Sequence, residues 1–244
     1  DEEKKAKHAL EEAYDSLNRA NQAKSDFLSR MSHDIRTPMN AIMGMTAIAQ
    51  SNLHNRDKIE DCLSKISLSG SHLLDLINKV LDMSKIESGN VGLSEDAFCL
   101  KELVEEVSLI VKPDMDSKGQ ELSIRLKDID HHAVYGDAVR VKQILINLLS
   151  NAVKFTGEGG SVRLTVALTA ARDGLLIEVA DTGIGIPEDE LATIFERFRQ
   201  ADSSISRRYG GSGLGLALVK EMAELLGGRA TVQGLQHRGF DLEE

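Results

Sequence analysis

Four short stretches of this 244-residue chain hold side chains able to do chemistry. The first, SRMSHDIRTPMN (29–40), sets His33 beside Asp34, with Thr37 four residues after the histidine and Pro38 next. A neutral imidazole is a competent nucleophile near neutral pH. Thr37 stands one helical turn on from His33, over the same face. Pro38 falls in a run with helical apolar spacing, where proline costs about 3 kcal/mol or more. The second stretch, NLLSNAVKF, carries Asn147, Asn151 and Lys154 on one face of a helix. Asparagine is a poor mid-helix residue. Amide oxygens suit a hard cation such as Mg²⁺, and a lysine ammonium suits phosphate. The third, DTGIGIP (181–187), ends a strand on Asp181, an acceptor, followed by Gly183 and Gly185, which let a ligand approach backbone. The fourth, GGSGLGL (210–216), opens a helix, and a helix N-terminus attracts phosphate.

Each stretch also has a plain reading. A lone helical histidine is usually a surface residue, and His8, His54 and His72 fit that description. The asparagine face can be merely solvated, the Asp-x-Gly-x-Gly loop a tight turn, and the glycine-rich run a hinge. The glycine-rich run lacks the Lys-Ser/Thr pair of a P-loop, and no first strand precedes it as in a dinucleotide fold. RQADSSISRRYGG, just before it, is long and polar enough for a lid, and its Arg207 and Arg208 are candidates for phosphate contact.

The elements that position these residues follow from periodicity. Residues 1–52 carry an apolar stripe through Leu10, Tyr14, Leu17, Leu28, Met31, Ile35, Ile42, Met45 and Ala49, at heptad-like steps. SNLHNRD (51–57) breaks it, and a second stripe runs through Ile59, Leu63, Ile66, Leu73, Ile77 and Val80 before fading at IESGN. Two such helices form a hairpin that buries its stripe poorly alone, so we expect two copies to close a four-helix bundle as a homodimer. Residues 1–88 are thus an all-α hairpin, 89–96 a linker, and 97–244 a second domain. There the texture changes to a helix (LKELVEEVSLIV), strands ELSIRL, SVRLTVAL and LLIEVA, a helix ending at Phe155, the glycine-started helix, and a late strand, RATVQ. That order predicts an α+β two-layer sandwich, with helices on one face of a mixed sheet.

Composition narrows the classes. A net charge of −10 argues against nucleic acid as a main partner. Two well-separated cysteines, Cys62 and Cys99, predict a reducing, cytoplasmic compartment and no cysteine metal site. No apolar run reaches the ~20 residues of a membrane span, so any membrane anchor is expected outside this segment.

Taken in order, the asparagine helix, Asp-x-Gly-x-Gly, FERF and Gly-x-Gly-x-Gly resemble the Bergerat-type ATP-binding fold. That fold serves sensor histidine kinases and the gyrase, mismatch-repair and heat-shock chaperone ATPases. SHDIRTPMN, upstream, resembles the H box of two-component sensor histidine kinases, and the HDIRTP and FTGEGG wording is most similar to the hybrid type. The resemblance covers nearly the whole chain. It implies that residues 143–156 are the N box, 181–187 and 211–215 the two G boxes, and 195–198 the F box. It implies that His33 is the phosphoacceptor, attacking the γ-phosphate of ATP through Nε2. Asp34 would accept a hydrogen bond from the ring, and Thr37 would help place water for dephosphorylating a partner response-regulator receiver. Asn151 would coordinate Mg²⁺, with Asn147 and Lys154 on the triphosphate, Asp181 on the adenine amino group, Phe155 against the ring and Gly183 and Gly185 admitting it. Arg208, Gly211, Ser212, Gly213, Leu214 and Gly215 would close on the phosphates. Pro38 would bend the helix so that His33 reaches the nucleotide.

Two places depart from the family pattern. Gln200 stands where a basic residue often follows the F box, and the tail HRGFDLEE replaces the usual Gly-Ser-x-Phe strand, which predicts a shortened last strand. The expected activity is ATP-dependent autophosphorylation of His33 with onward transfer to a receiver aspartate, and phosphatase activity beside it. A nucleotide-gated dimeric scaffold without phosphotransfer, and an ATPase clamp of the chaperone or gyrase type, are the alternatives.

Overall fold

The turn-prone break at 51–57 becomes a tight turn because its asparagines cap both helices. In the computed structural model, Asn52 Nδ2 donates to the Ile48 carbonyl (2.8 Å), closing helix α1 (Glu2–Ser51). Asn55 Oδ1 accepts the Lys58 N–H (3.1 Å), opening helix α2 (Arg56–Glu87) as a side-chain N-cap. The structure describes residues 2–88, 92–127, 133–169, 171, 173–196 and 213–233. They fall in two compact units, Asp1–Leu81 and Asp82–Glu244.

In the first unit the apolar surface of α2 divides into two lanes. Cys62 and Leu76 are buried, with Ile66, Leu73 and Val80 half-buried on the same side. These positions step by four and three, the spacing of a helix–helix seam. Beside that seam Leu63, Leu74, Ile77 and Leu81 remain exposed. On α1, Met31 and Pro38 are buried, and Ile35, Ile42, Met45 and Ala49 are half-buried. Helix α1 continues through Pro38, whose apolar ring lies on the seam side.

The second unit begins with the last turns of α2. Strand β1 (Asp96–Cys99) pairs antiparallel with β3 (Ala133–Gly136) in a small sheet. The larger sheet has the order β2 (Glu121–Lys127), β4 (Ser161–Leu168), β5 (Leu175–Asp181). β2 runs parallel to β4 (Leu122↔Val162), and β5 antiparallel to it (Val162↔Asp181). Helices α3 (Leu100–Ser117) and α4 (Ala138–Phe155) supply the other side of the core. Val104, Val107, Val111 and Met115 of α3 meet Leu145, Leu149 and Val153 of α4 and Val162, Leu164 and Val166 of β4. Each such side chain stabilises the fold by roughly 1.5–3 kcal/mol relative to exposure. α4 starts sharply because Asp137 accepts the Arg140 N–H (3.0 Å) and also the Ser94 N–H (3.2 Å). Helix α5 (Gly215–Leu225) packs Leu218, Val219 and Met222 against Ile144 of α4 and Met83. It stops in a Schellman motif: Gly227, at φ +78°, donates to Glu224 and Gly228 to Ala223 (2.7 Å).

The two domain types and the mixed sheet under helices match the expected fold class. The late strand does not. Residues 229–233 have strand-like alternation but join no ladder with the described strands. Alternation is only a surface pattern until a neighbouring strand supplies hydrogen bonds.

Candidate functional site

The ATP-type motifs of the second unit converge on the end of α4. Leu145, Leu149, Ala152 and Val153 bury one face of that helix, which leaves Asn147, Asn151 and Lys154 on the other. Asn147 is only 7% exposed, and its Nδ2 donates to the Gln143 carbonyl of its own helix (2.8 Å). The Asn151 amide has no hydrogen-bond partner among the described residues. Gly215, the first residue of α5, lies against both amides. A β-carbon there would sit 3.3 Å from Asn151 Nδ2 and 3.6 Å from Asn147 Oδ1. The glycine thus brings the uncapped N-terminus of α5, with its free N–H groups, beside two amide oxygens. Gly213 holds φ +66°, a left-handed conformation suited to glycine, and Leu214 behind it is buried.

The Asp-x-Gly-x-Gly loop meets the other side of the same helix end. Asp181 closes β5, is half-buried, and its Oδ1 accepts the Gly183 N–H (2.9 Å). Its second oxygen remains an acceptor for a ligand donor. Gly183 has no room for a side chain, since a β-carbon would lie 2.6 Å from the Phe155 carbonyl oxygen. That carbonyl accepts the Ile184 N–H (3.3 Å). Gly185 is left-handed at φ +70°. Lys154 Nζ sits 4.7 Å from the centre of the Phe155 ring, a cation–π pair. Two residues expected to meet different parts of a nucleotide therefore touch each other.

Sequence reasoning missed Thr182. Its Oγ1 accepts the Ser161 N–H (2.9 Å), and its N–H donates to the Ser161 carbonyl (3.1 Å), tying the loop to the start of β4. A hydroxyl residue directly after a strand-ending aspartate was the available signal. Arg208, Gly211, Ser212, Arg207, Arg199, Gln200 and the second half of the F box lie outside the described residues.

The H box belongs to the first unit. The His33 side chain is 79% exposed, and its Nδ1 lies 3.3 Å from Asp34 Oδ1. Thr37 Oγ1 donates to the His33 carbonyl (3.1 Å), so it sits one turn from the imidazole. Among the described residues no group of three or more His, Cys, Asp or Glu could hold a metal ion. The amide pair Asn147–Asn151 is the donor set that fits a hard cation shared with phosphate oxygens.

Comparison with known proteins finds two family matches along the chain. Residues 23–89 match the His Kinase A (phospho-acceptor) domain, and residues 136–243 match the histidine kinase-, DNA gyrase B- and HSP90-like ATPase family. The chain is 39% identical to the autoinducer 2 sensor kinase/phosphatase LuxQ of Vibrio cholerae, over 94% of this chain and 26% of that protein. It is 39% identical to the signal transduction histidine-protein kinase BarA of Escherichia coli, over 88% and 24%. It therefore spans about a quarter of the length of these relatives. Among solved structures, full-length ShkA in complex with AMPPNP superposes with a TM-score of 0.60 at 32% identity, covering 85% of this chain and 43% of that one. Histidine kinase ThkA in complex with the response regulator protein TrrA gives 0.61 at 25%, covering 83% and 55%. With both domains matched in order and shared with relatives along most of its length, the chain belongs to the sensor histidine kinase family, of which it carries the phospho-acceptor and ATPase domains.

Proposed function

We propose that this segment is the catalytic core of a hybrid-type sensor kinase, transferring the γ-phosphoryl group of ATP to His33 and onward to an aspartate of a response-regulator receiver. The observation that carries the reading is the His33–Asp34 pair. Nδ1 beside the carboxylate favours the tautomer with its proton on Nδ1, leaving the Nε2 lone pair free to attack. The N–P bond forms at Nε2 as the bond from Pγ to the bridging oxygen breaks, and ADP leaves. Asp34 stabilises the positive charge that develops on the ring. The second unit does positioning and charge neutralisation. Asp181 takes the adenine amino group on its free oxygen. Gly183 and Gly185 admit the base, and Phe155 lies against it. Lys154 and the α5 N-terminus at Gly213, Leu214 and Gly215 meet the phosphates. Arg208, Gly211 and Ser212, outside the described residues, are proposed as further phosphate contacts.

Asn151 would hold Mg²⁺, which when bound neutralises phosphate charge, and Asn147 would stand with Lys154 on the triphosphate. Thr37, whose hydroxyl stands one turn from His33, is the residue proposed for placing water in the reverse, phosphatase direction. The exposed lane Leu63–Leu74–Ile77–Leu81 supports homodimerisation, since a second hairpin would cover it. No described helix is long and apolar enough to cross a membrane. We propose that this core works in the cytoplasm, with any membrane attachment through other segments.

The test is acid-labile, alkali-stable label from γ-³²P ATP. The expected outcome is label on the wild type and none on His33→Gln. Label persisting on His33→Gln refutes the assignment, and an unlabelled wild type that still binds ATP supports a nucleotide-gated scaffold instead.

A further inference from the structure

The last turn of α4 ends where Lys154, Phe155 and the Asp181 loop meet, so whatever fixes that turn fixes the site. A helix end leaves carbonyls without intrahelical donors. Here those acceptors are met from both sides. On one side the Phe155 carbonyl takes the Ile184 N–H of the Asp181 loop. On the other stands the turn between α3 and β2. Gln120, only 7% exposed, donates through Nε2 toward the carbonyls of Val153 (3.1 Å), Thr156 (2.7 Å) and Gly157 (3.2 Å). Two amide hydrogens thus serve three acceptors. Lys118 Nζ donates to the carbonyls of Val153 (2.8 Å) and Lys154 (3.3 Å), putting a positive charge at the negative end of the helix. The backbone reinforces the join: Gly159 N–H donates to the Lys118 carbonyl (3.0 Å), and Glu121 N–H to that of Gly160 (2.9 Å).

Gln120 is a costly residue for this place. Its Oε1 is buried with no hydrogen-bond partner among the described residues, so half of the amide is desolvated without compensation. The donor half is what the position uses.

We propose that Gln120, with Lys118 beside it, is a positioning residue for the nucleotide site: the pair clamps the C-terminal turn of α4 from behind and so sets where Lys154, Phe155 and the Asp181 loop stand. The proposal rests on the nucleotide reading of that site. Replacing Gln120 by methionine keeps the length and removes both the donor and the orphaned acceptor. Val153 keeps Lys118, and Gly157 keeps the Gly160 N–H (3.2 Å), while Thr156 loses its 2.7 Å donor. The effect should therefore appear in ligand geometry more than in folding.

The experiment measures binding of trinitrophenyl-ATP, and ATP KM against kcat of autophosphorylation, at 20 °C, beside thermal melts without nucleotide that show which variants are folded. Gln120→Met should weaken binding and raise KM about five- to tenfold with kcat nearly unchanged. Lys118→Met, on a half-buried side chain, should weaken binding about threefold, and decides the matter if Gln120→Met does not fold. Val107→Ala, in the same core but with no hydrogen bond to these carbonyls, should lower the melting point and leave binding unchanged. Binding within twofold of wild type for both clamp variants overturns the proposal, as does an equal loss in Val107→Ala, which would mean general loosening. A wild type that binds no nucleotide overturns the site reading itself.

Discussion

At the scale of single residues, Asp181 separates two duties between its oxygens. Oδ1 shapes the loop by accepting the Gly183 N–H, and in the proposed reading Oδ2 takes the adenine amino group. Asp181→Asn retains an Oδ1 acceptor for the turn and replaces the other oxygen with a donor. Its fold should survive while nucleotide affinity falls roughly ten- to a hundredfold, the scale of a lost hydrogen bond to a charged group. Isothermal titration with an ATP analogue reads this directly, and unchanged affinity would remove Asp181 from the base-reading role. The residues with chemistry were legible in the sequence because their types are out of place: amides in the middle of a helix, a proline in a heptad stripe, glycines where a strand stops. Gln120 and Lys118 were not legible. Their partners are backbone carbonyls more than thirty residues away, and a carbonyl carries no sequence signature.

At the scale of elements, close approach decides more than propensity. Gly183 lies against the end of α4, where any β-carbon would collide with the Phe155 carbonyl oxygen as well as with Asp181 Oδ1, each 2.6 Å away, and the backbone oxygen cannot simply swing aside. Gly183→Ala should cost roughly 1–3 kcal/mol of stability, seen as a lower midpoint in denaturant titration, and a wild-type midpoint would show that the loop can retreat. Gly215 faces flexible amide groups at 3.3 Å or more, so an alanine there is accommodated more easily. Strands β4 and β5 could be read from the sequence because seven or eight residues give alternation room to show. β1 and β3, at four residues each, could not. RATVQ shows the opposite case, a pattern with no partner among the described strands. Helix α2 was read as one stripe, whereas the fold uses two lanes. Cys62 and Leu76 on the inner lane escaped notice because both lanes are apolar and period alone does not divide them.

At the scale of the whole molecule, the outer lane of α2 sets the expected assembly. Leu63, Leu74 and Leu81 are each more than half exposed, a run of large side chains that water disfavours. Light scattering at micromolar concentration should give twice the chain mass, and Leu74→Glu should shift it toward one chain without unfolding the hairpin, whose inner seam is untouched. A wild type that is monomeric under these conditions would end the bundle argument.

Pro38 links the three scales. Its ring is buried on the seam face, while its missing N–H removes the hydrogen bond that Asp34's carbonyl would otherwise receive. The helix is therefore glued on one side and unlatched along its axis at the same turn. Lateral cohesion and axial stiffness, which normally rise and fall together in a helix, are separated there. We propose that His33, just upstream of that turn, rides on a segment able to bend along its axis while its seam face stays buried.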